Sequence, residues 1–590
     1  MKLSDYYSRL PDREYSDFRD FLEKSCGRGG ERPAFRWCPN CEGPEQVLSF
    51  AELRSGADAL GRRLLALGLK RGDRVGLIAE NRPEWCLVYL GVTAAGFIIV
   101  PLDVALDDEG LKRNLAAAHV RALFTSQKQI RRHPALADPR ALGLELLADF
   151  DVPAAPGAEA FGVSLAIGRS RPDIALPKPG EVGPDAPAVV FFTSGTTGIA
   201  KGIMLSQKAL IANVNAARMS LIVDERDVFV AILPLHHTYA TTCSFLSSVE
   251  AGCATVIVDR FAPSAIVKVV GEGRVSFFIG VPLLFDKLRA GIESKVAEMP
   301  RPARRAFRAG LRWSRFCTLR LGIPVGRVLF QPIRAKAGLG SVRLAVSGGG
   351  PLSIETAEFF DAIGIPIVQG YGMSENGPLI SVNLPERKDN RSVGFPVKYT
   401  EVRIADRGSD GVGQIEVRGP SMMIGYLDDP RATKEAFTAD GWLKTGDLGR
   451  IDFRGFLFIT GRLKSLIVTE GGKNVYPEEI EGKLSDSPWV KEVLVIGRPM
   501  APGHSGEDVV AVLYPDFDKV SFAYPGKETD QAFVRSLIKA DIVSVNKSLA
   551  SYEKISDFII RSEPFIKTSS GKIRRFIYAE EYSGRGSTRR

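Results

Sequence analysis

The chain has 590 residues, is 45% hydrophobic and 25% charged, and carries seven cysteines and a net charge of +9. That length exceeds what one hydrophobic core supports, so at least two domains are expected, with the composition of a soluble globular enzyme. Seven cysteines in 590 residues, an odd number, give no disulfide framework, which fits a reducing cytoplasm.

The N-terminus, Met1-Lys2-Leu3-Ser4-Asp5-Tyr6, has no apolar run of the secretory kind, so no signal peptide is expected. Cys38-Pro39-Asn40-Cys41 is a lone Cys-x-x-Cys with no second pair at zinc spacing, and it predicts a hairpin turn. Residues 51–150 then alternate, with a helix over Ala51–Leu67, a strand over Arg74–Ile78 and a helix over Pro83–Ala95. The most apolar stretch, Leu90–Leu102, is broken by Gly91, Gly96 and Pro101. It falls short of the roughly 18 residues that a membrane span needs. Pro153, Pro156, Pro172, Pro177 and Pro179 mark an irregular approach to the apolar run Ala188–Phe192.

Behind that run stands Thr193-Ser194-Gly195-Thr196-Thr197-Gly198-Ile199-Ala200-Lys201-Gly202. Glycine lets the backbone take positive φ and turn its N–H groups inward, and successive inward amides form an anion-binding nest. Four hydroxyls and Lys201 add donors and a positive charge. A strand leading into such a loop predicts phosphate binding, although the spacing is not that of a Walker A loop.

The strand and helix alternation returns at 204–290 and 341–370, with strands over Val342–Ser347 and Ile365–Gln369, and it predicts helix-covered parallel sheets. Between Lys287 and Lys336 thirteen Lys/Arg face two acids, an excess larger than that of the whole chain. Arg301, Arg305, Arg308, Arg312 and Arg315 share one helical face; Ala303, Ala306 and Cys317 lie opposite, with Phe307 and Trp313 nearer its edges. Three readings follow: contact with anionic lipid head groups, docking of an acidic partner, or a surface helix with Trp313 packed inward.

From about residue 390 the texture turns to short β segments, Val402–Ala405, Gln414–Arg418 and Gly455–Thr460. After Gly461-Arg462 come strands over Ser465–Thr469, Glu492–Ile496 and Asp508–Tyr514, with helices near 477–485 and 529–548. Polar clusters stand in order along this half: Ser347-Gly348-Gly349-Gly350, then Gln369-Gly370-Tyr371-Gly372-Met373-Ser374-Glu375, then Gly441-Trp442-Leu443-Lys444-Thr445-Gly446-Asp447. Gly461-Arg462-Leu463-Lys464, Gly471-Gly472-Lys473-Asn474-Val475-Tyr476 and Ser570-Gly571-Lys572 complete the series.

In this order and spacing, from about residue 48 to 575, the chain resembles the adenylate-forming enzymes: acyl-CoA synthetases, firefly luciferase and the adenylation domains of peptide synthetases. Gln414–Pro420, Met422–Tyr426 and the basic stretch before residue 341 look most like long-chain fatty acyl-CoA synthetases. The resemblance implies an α/β fold with a large N-terminal AMP-binding domain over 1–463, of which about 390–463 is a β-rich subdomain. A small mobile α+β domain over 464–590 would follow, hinged at Lys464.

The implied reaction joins a medium- to long-chain fatty acid to CoA through an acyl-adenylate, with ATP and Mg²⁺. The resemblance gives Thr193–Gly198 and Lys201 to the triphosphate, and Thr193 and Glu375 to Mg²⁺. Gly349, Gln369, Gly370, Tyr371, Gly372 and Ser374 would frame the nucleotide, Asp447 the ribose hydroxyls, and Arg462 ribose or phosphate oxygens. Lys201, Glu375 and Lys572 would be catalytic, Lys572 bridging the attacking carboxylate and the α-phosphate. Rotation about Lys464 would withdraw Lys572 and bring up the Gly471–Tyr476 loop, with Gly472 and Lys473, for the thiol step. Leu233–Tyr239 would line the acyl pocket, with His237 gating or packing there and His236 or His237 as a general base the alternative.

Three further implications concern acceptors and partners. No Asp stands between Leu233 and Phe245 to pair with a substrate ammonium, which argues against an amino acid. An acyl carrier protein is the alternative acceptor, and a non-catalytic binding protein the alternative class. No nucleic-acid partner is expected, and the Arg301–Arg315 face allows peripheral contact with an anionic membrane. Two departures stand out: Ser374 where the family usually has Thr, and Ile566 where Pro usually precedes Lys567–Lys572.

Overall fold

The structure is a computed structural model; it describes residues 3–151, 157–162, 167–168, 171–193, 201–260, 262–500, 506–567 and 573–582. Contacts divide the chain into two units. The first holds Met1–Thr193, Ala200–Val402 and Val417–Leu443; the second holds Arg403–Glu416 and the chain from Lys444 onward.

The first unit is built on two large sheets, parallel at their centres and covered by helices, as the alternating pattern predicts. In one, Arg74–Ile78 runs parallel to Ile98–Pro101 and Val120–Thr125, and Ile98–Pro101 runs parallel to Pro187–Thr193. Ile78, Val100, Leu111, Leu123 and Val190 fill its interior. Pro187–Thr193 turns back as the antiparallel strand Lys201–Ser206, which puts Thr193 opposite Lys201. The other sheet runs Val228–Ala231, Phe277–Gly280, Leu344–Ser347 and Ile367–Gly372 in parallel neighbours. Ile367 and Val368 are buried while Gln369–Gly372 grow progressively exposed. The carboxyl end of that strand therefore opens to solvent, where ligands bind in α/β sheets.

The helix of residues 50–66 begins on a complete capping box. Ser49 Oγ accepts the Glu52 N–H at 3.1 Å, and Glu52 Oε2 accepts the Ser49 N–H at 2.9 Å. The Cys38–Cys41 segment is the turn between the antiparallel strands Pro33–Trp37 and Gln46–Ser49, as expected. Cys38 Sγ donates to the Gly43 carbonyl at 2.7 Å.

The arginine helix spans Arg301–Phe316, but its sides differ from those read in the sequence. Phe307, Ser314 and Cys317 are buried, whereas Ala303 and Ala306 are exposed and Trp313 is 56% exposed. Ser314 fixes this rotation, donating from Oγ to the Ala362 carbonyl at 2.6 Å. Burying that hydroxyl with its partner turns Trp313 outward, so the reading that packs Trp313 inward is wrong.

In the second unit, strands Leu443–Ile451 and Leu457–Arg462 pair antiparallel within a four-stranded sheet. Three further strands, Val490–Pro499, Glu507–Pro515 and Asp557–Ile560, carry the helices Pro477–Ser485 and Gln531–Lys547. Val493, Val495, Val509, Leu513, Ile538 and Ile542 form a core of their own.

Candidate active site

In the first unit the motif ends gather where the strands Pro187–Thr193 and Lys201–Ser206 meet the edge strand Gly425–Tyr426. Tyr426 pairs with Ile203, and the Leu427 N–H donates to the Gly202 carbonyl at 2.7 Å. This pairing sets the Tyr426 ring beside Lys201, whose Nζ lies 4.8 Å from the ring centroid. The Tyr426 hydroxyl donates to Glu375 Oε1 at 3.0 Å, and the Met423 N–H donates to the Glu375 carbonyl at 2.8 Å. Burial, then the adjacent Glu375 carboxylate, push the Tyr426 phenol well above its ordinary pKa. It therefore stays protonated and keeps donating.

Lys201 and Glu375 are thus brought together through a residue the sequence reading did not single out. Its signal is an aromatic at the end of a short strand, common enough to pass unnoticed. Ser194–Ala200 lie outside the described residues, as does Lys572. Glu375 and Thr193 offer a carboxylate and a hydroxyl, hard oxygen donors of the kind Mg²⁺ takes.

The glycine clusters lie at the carboxyl ends of the second sheet. A Cβ on Gly348 would stand 2.8 Å from the Tyr239 ring, so no side chain fits there. Gln369 Oε1 accepts the Leu352 N–H at 2.7 Å, tying the Gly348–Gly350 turn to the Gln369–Gly372 strand end. Ser374 receives the Thr238 hydroxyl at 3.1 Å, which links the Gln369–Glu375 motif to the Leu233–Tyr239 segment.

The Leu233–Tyr239 segment is itself held by Asn81, a second residue that sequence reasoning missed. Its Nδ2 donates to the Leu233 carbonyl at 2.9 Å, and its Oδ1 accepts the Leu235 N–H at 3.0 Å. His236 is buried, with Nε2 3.3 Å from Asp103 Oδ1, and its ring lies 4.3 Å from that of His237. A carboxylate does therefore reach this segment, from the loop after Ile98–Pro101, but it faces His236.

In the second unit, Asp447 and Arg462 are cross-strand partners, with Arg462 Nε 3.1 Å from Asp447 Oδ1. Gly446 takes φ +74° within the strand, just before Asp447. The Asp447 N–H donates to Thr445 Oγ1 at 3.1 Å, and the Thr445 hydroxyl donates to the Ile415 carbonyl at 2.8 Å. Asp447 is only 6% exposed while most of Arg462 faces solvent, which is unlike a surface turn. Lys464 is exposed in the single turn Leu463–Ser465. Gly471, Gly472 and Lys473 form the exposed tip joining the paired strands Ile467–Val468 and Asn474–Val475.

The family model described as AMP-binding enzyme matches residues 22–427, and that described as AMP-binding enzyme C-terminal domain matches 464–585. The chain is 32% identical over 457 residues to the long-chain-fatty-acid–CoA ligase FadD15 of Mycobacterium bovis, covering 75% of this chain and 73% of that one. It is 28% identical over 568 residues to the indoleacetate–CoA ligase of Aromatoleum aromaticum, covering 95% and 97%. Its fold matches the ATP-bound crystal structure of MatB from Rhodopseudomonas palustris with a TM-score of 0.73 at 26% identity, covering 96% of this chain and 99% of that one.

Proposed function

The chain belongs to the AMP-binding enzyme family, and we propose that it is an ATP-dependent ligase joining medium- to long-chain fatty acids to CoA. In the first half-reaction a carboxylate oxygen attacks the α-phosphorus of ATP. The bond to the β-phosphate's bridging oxygen breaks, and pyrophosphate leaves with the electron pair. In the second, the CoA sulfur attacks the acyl carbonyl carbon, loses its proton and displaces AMP. Both reactants of the first step are anions, so positioned cations and donors lower its barrier by neutralising charge and holding the line of attack.

The observation that carries this reading is the contact chain Lys201–Tyr426–Glu375, set at the strand end that feeds Thr193–Gly202. In the proposed assignment Lys201 and the loop grip the β- and γ-phosphates, and Glu375 and Thr193 hold Mg²⁺, which supplies charge neutralisation at the phosphates when bound. Gly349 and Gln369–Gly372 frame the adenine, Asp447 accepts from the ribose hydroxyls, and Arg462 donates to ribose or phosphate oxygens. Lys572 stabilises the charge that appears at the α-phosphate. The names of the FadD15 and indoleacetate relatives support CoA as acceptor, and that of FadD15 supports a long acyl chain.

The test is purified enzyme with ATP, Mg²⁺ and a ladder of fatty acids, with CoA and acyl carrier protein offered in parallel. Pyrophosphate exchange that rises with chain length, followed by acyl-CoA formation, is expected. Exchange only with aromatic or short acids would overturn the substrate, and acylation of carrier protein alone would overturn the acceptor.

A further inference from the structure

Two of the chain's five histidines, His236 and His237, stand together beside the Asp103 carboxylate. One ligand atom from each of the three lies within 4.8 Å of the others. Among the described residues no other three His, Cys, Asp or Glu side chains converge in this way. His236 is 7% exposed, and among the described residues its Nε2 has no hydrogen-bond partner. That nitrogen nevertheless faces Asp103 Oδ1 at 3.3 Å. A buried imidazole nitrogen left unbonded beside a carboxylate is costly, and an ion held by both removes the cost.

The spacing says which ion fits. Donors about 2.0–2.2 Å from a zinc ion stand roughly 3.4 Å apart at tetrahedral angles. Asp103 and His236 already have that separation, and the remaining pairs need to close by roughly 1.4 Å at most. Two imidazoles and one carboxylate suit zinc and its neighbours, whereas Mg²⁺ takes oxygen donors and is served by Glu375 and Thr193 in the proposed assignment.

The donors are also fixed in advance. Asn81 holds Leu233 and Leu235, the His237 N–H donates to the Pro234 carbonyl at 3.1 Å, and the Thr241 N–H donates to the His237 carbonyl at 3.0 Å. Asp103 Oδ1 accepts the Ala105 N–H at 2.8 Å. Ligands oriented by such outer bonds lose little freedom when they take an ion. The Asp103 side chain is part-exposed, which gives an ion a way in. Three protein ligands leave a fourth position for water or another small donor.

We propose that Asp103, His236 and His237 bind one divalent transition-metal ion of the zinc class. The site stands on these side chains alone. Its effect on catalysis rests on the reading that gives Leu233–Tyr239 to the acyl pocket, where the ion competes with the fatty acid and raises its KM. The same segment reaches the Glu375 turn through Thr238, whose hydroxyl donates to Ser374.

The experiment is equilibrium dialysis of the full chain against buffered free zinc, with magnesium in large excess. One zinc per chain is expected, and thermal unfolding should move upward as zinc exceeds its Kd. Changing an outer partner of a metal site already costs roughly 10- to 100-fold in affinity, so losing a ligand should cost at least the upper figure. Asp103→Asn and His236→Gln should each show that loss. His236 is buried, so the part-exposed Asp103→Asn variant decides the matter if His236→Gln does not fold. Cys38→Ser with Cys41→Ser is expected to keep the zinc, which excludes the thiol pair as its holder. Pyrophosphate exchange against fatty acid, with and without zinc, reads the pocket separately. A raised KM supports site and pocket together, while one bound zinc with KM unchanged keeps the site and removes the pocket assignment. Three results overturn the proposal: no zinc retained beside magnesium, equal affinity in wild type and both ligand variants, or loss of the zinc in the cysteine variant.

Discussion

Tyr426 stands between Lys201 and Glu375, and its phenol is held protonated by burial and by the carboxylate it serves. A hydrogen bond to a charged group is worth about 1.5–3 kcal/mol. Tyr426→Phe should therefore slow adenylation by roughly tenfold or more and raise the Mg²⁺ concentration at half-maximal rate, with the ring contact to Lys201 retained. Pyrophosphate exchange across a Mg²⁺ titration reads both effects, and unchanged curves would show that Glu375 needs no such support. Asp447→Asn removes a buried charge whose partner Arg462 is largely exposed, so the lost ion pair should cost about 1 kcal/mol or less in stability. The expected kinetic effect is a raised KM for ATP with the KM for fatty acid unchanged, seen in initial rates against each substrate. At this scale the sequence showed residues that sit inside motifs, because glycine and hydroxyl spacing is local. It did not show Tyr426, Asn81 or Asp103, whose partners lie far away in the chain; Asn81 and Asp103 follow strands of one sheet and meet a segment that follows a strand of the other.

Elements were legible where the buried pattern is local, one face in the helix Pro477–Ser485 and a continuous run in the strand Arg74–Ile78. The helix Pro477–Ser485 and the strand Arg74–Ile78 match their sequence expectations residue for residue. The start of the helix of residues 50–66 is written in Ser49 and Glu52, and Ser49→Ala should lower stability by about 1 kcal/mol. Thermal unfolding reads that loss, and no change would mean that solvent replaces the cap. The arginine helix was misread because its buried stripe holds Ser314 beside Phe307 and Cys317. A buried hydroxyl satisfied by a distant carbonyl leaves no apolar period to read. Sheet membership was equally hidden: Pro33–Trp37 lies beside Ala254–Ile257, a pairing that no local pattern encodes. Lys464 lies in the single turn between two β segments, where a backbone torsion can change without disturbing a ladder. If it is the hinge, Lys464→Pro should leave adenylate formation near wild type and stop thioester formation, because proline fixes φ. Normal acyl-CoA output from this variant would remove the hinge.

Two units with separate cores suit a reaction whose halves need different surroundings, since each can fold once and be used in more than one arrangement. In the first half-reaction charge accumulates at the phosphates, so cations there stabilise the transition state. In the second, pyrophosphate has already gone, so a cation that held it has nothing left to stabilise, and the charge that passes to the departing AMP arises where the proposed rotation has withdrawn Lys572. Lys201 and Lys572 should therefore be dispensable for thiolysis while being needed for adenylation. Lys201→Ala and Lys572→Ala should each reduce pyrophosphate exchange by roughly 10²-fold or more, the scale of losing one transition-state donor. Supplied acyl-adenylate should still be converted to acyl-CoA within a few-fold of the wild-type rate by both variants. The comparison is decisive because a variant that had merely unfolded would lose both halves together. Equal loss in the two assays, with melting temperatures unchanged, would mean that one arrangement of the units serves both steps, and the division of labour between them would fall.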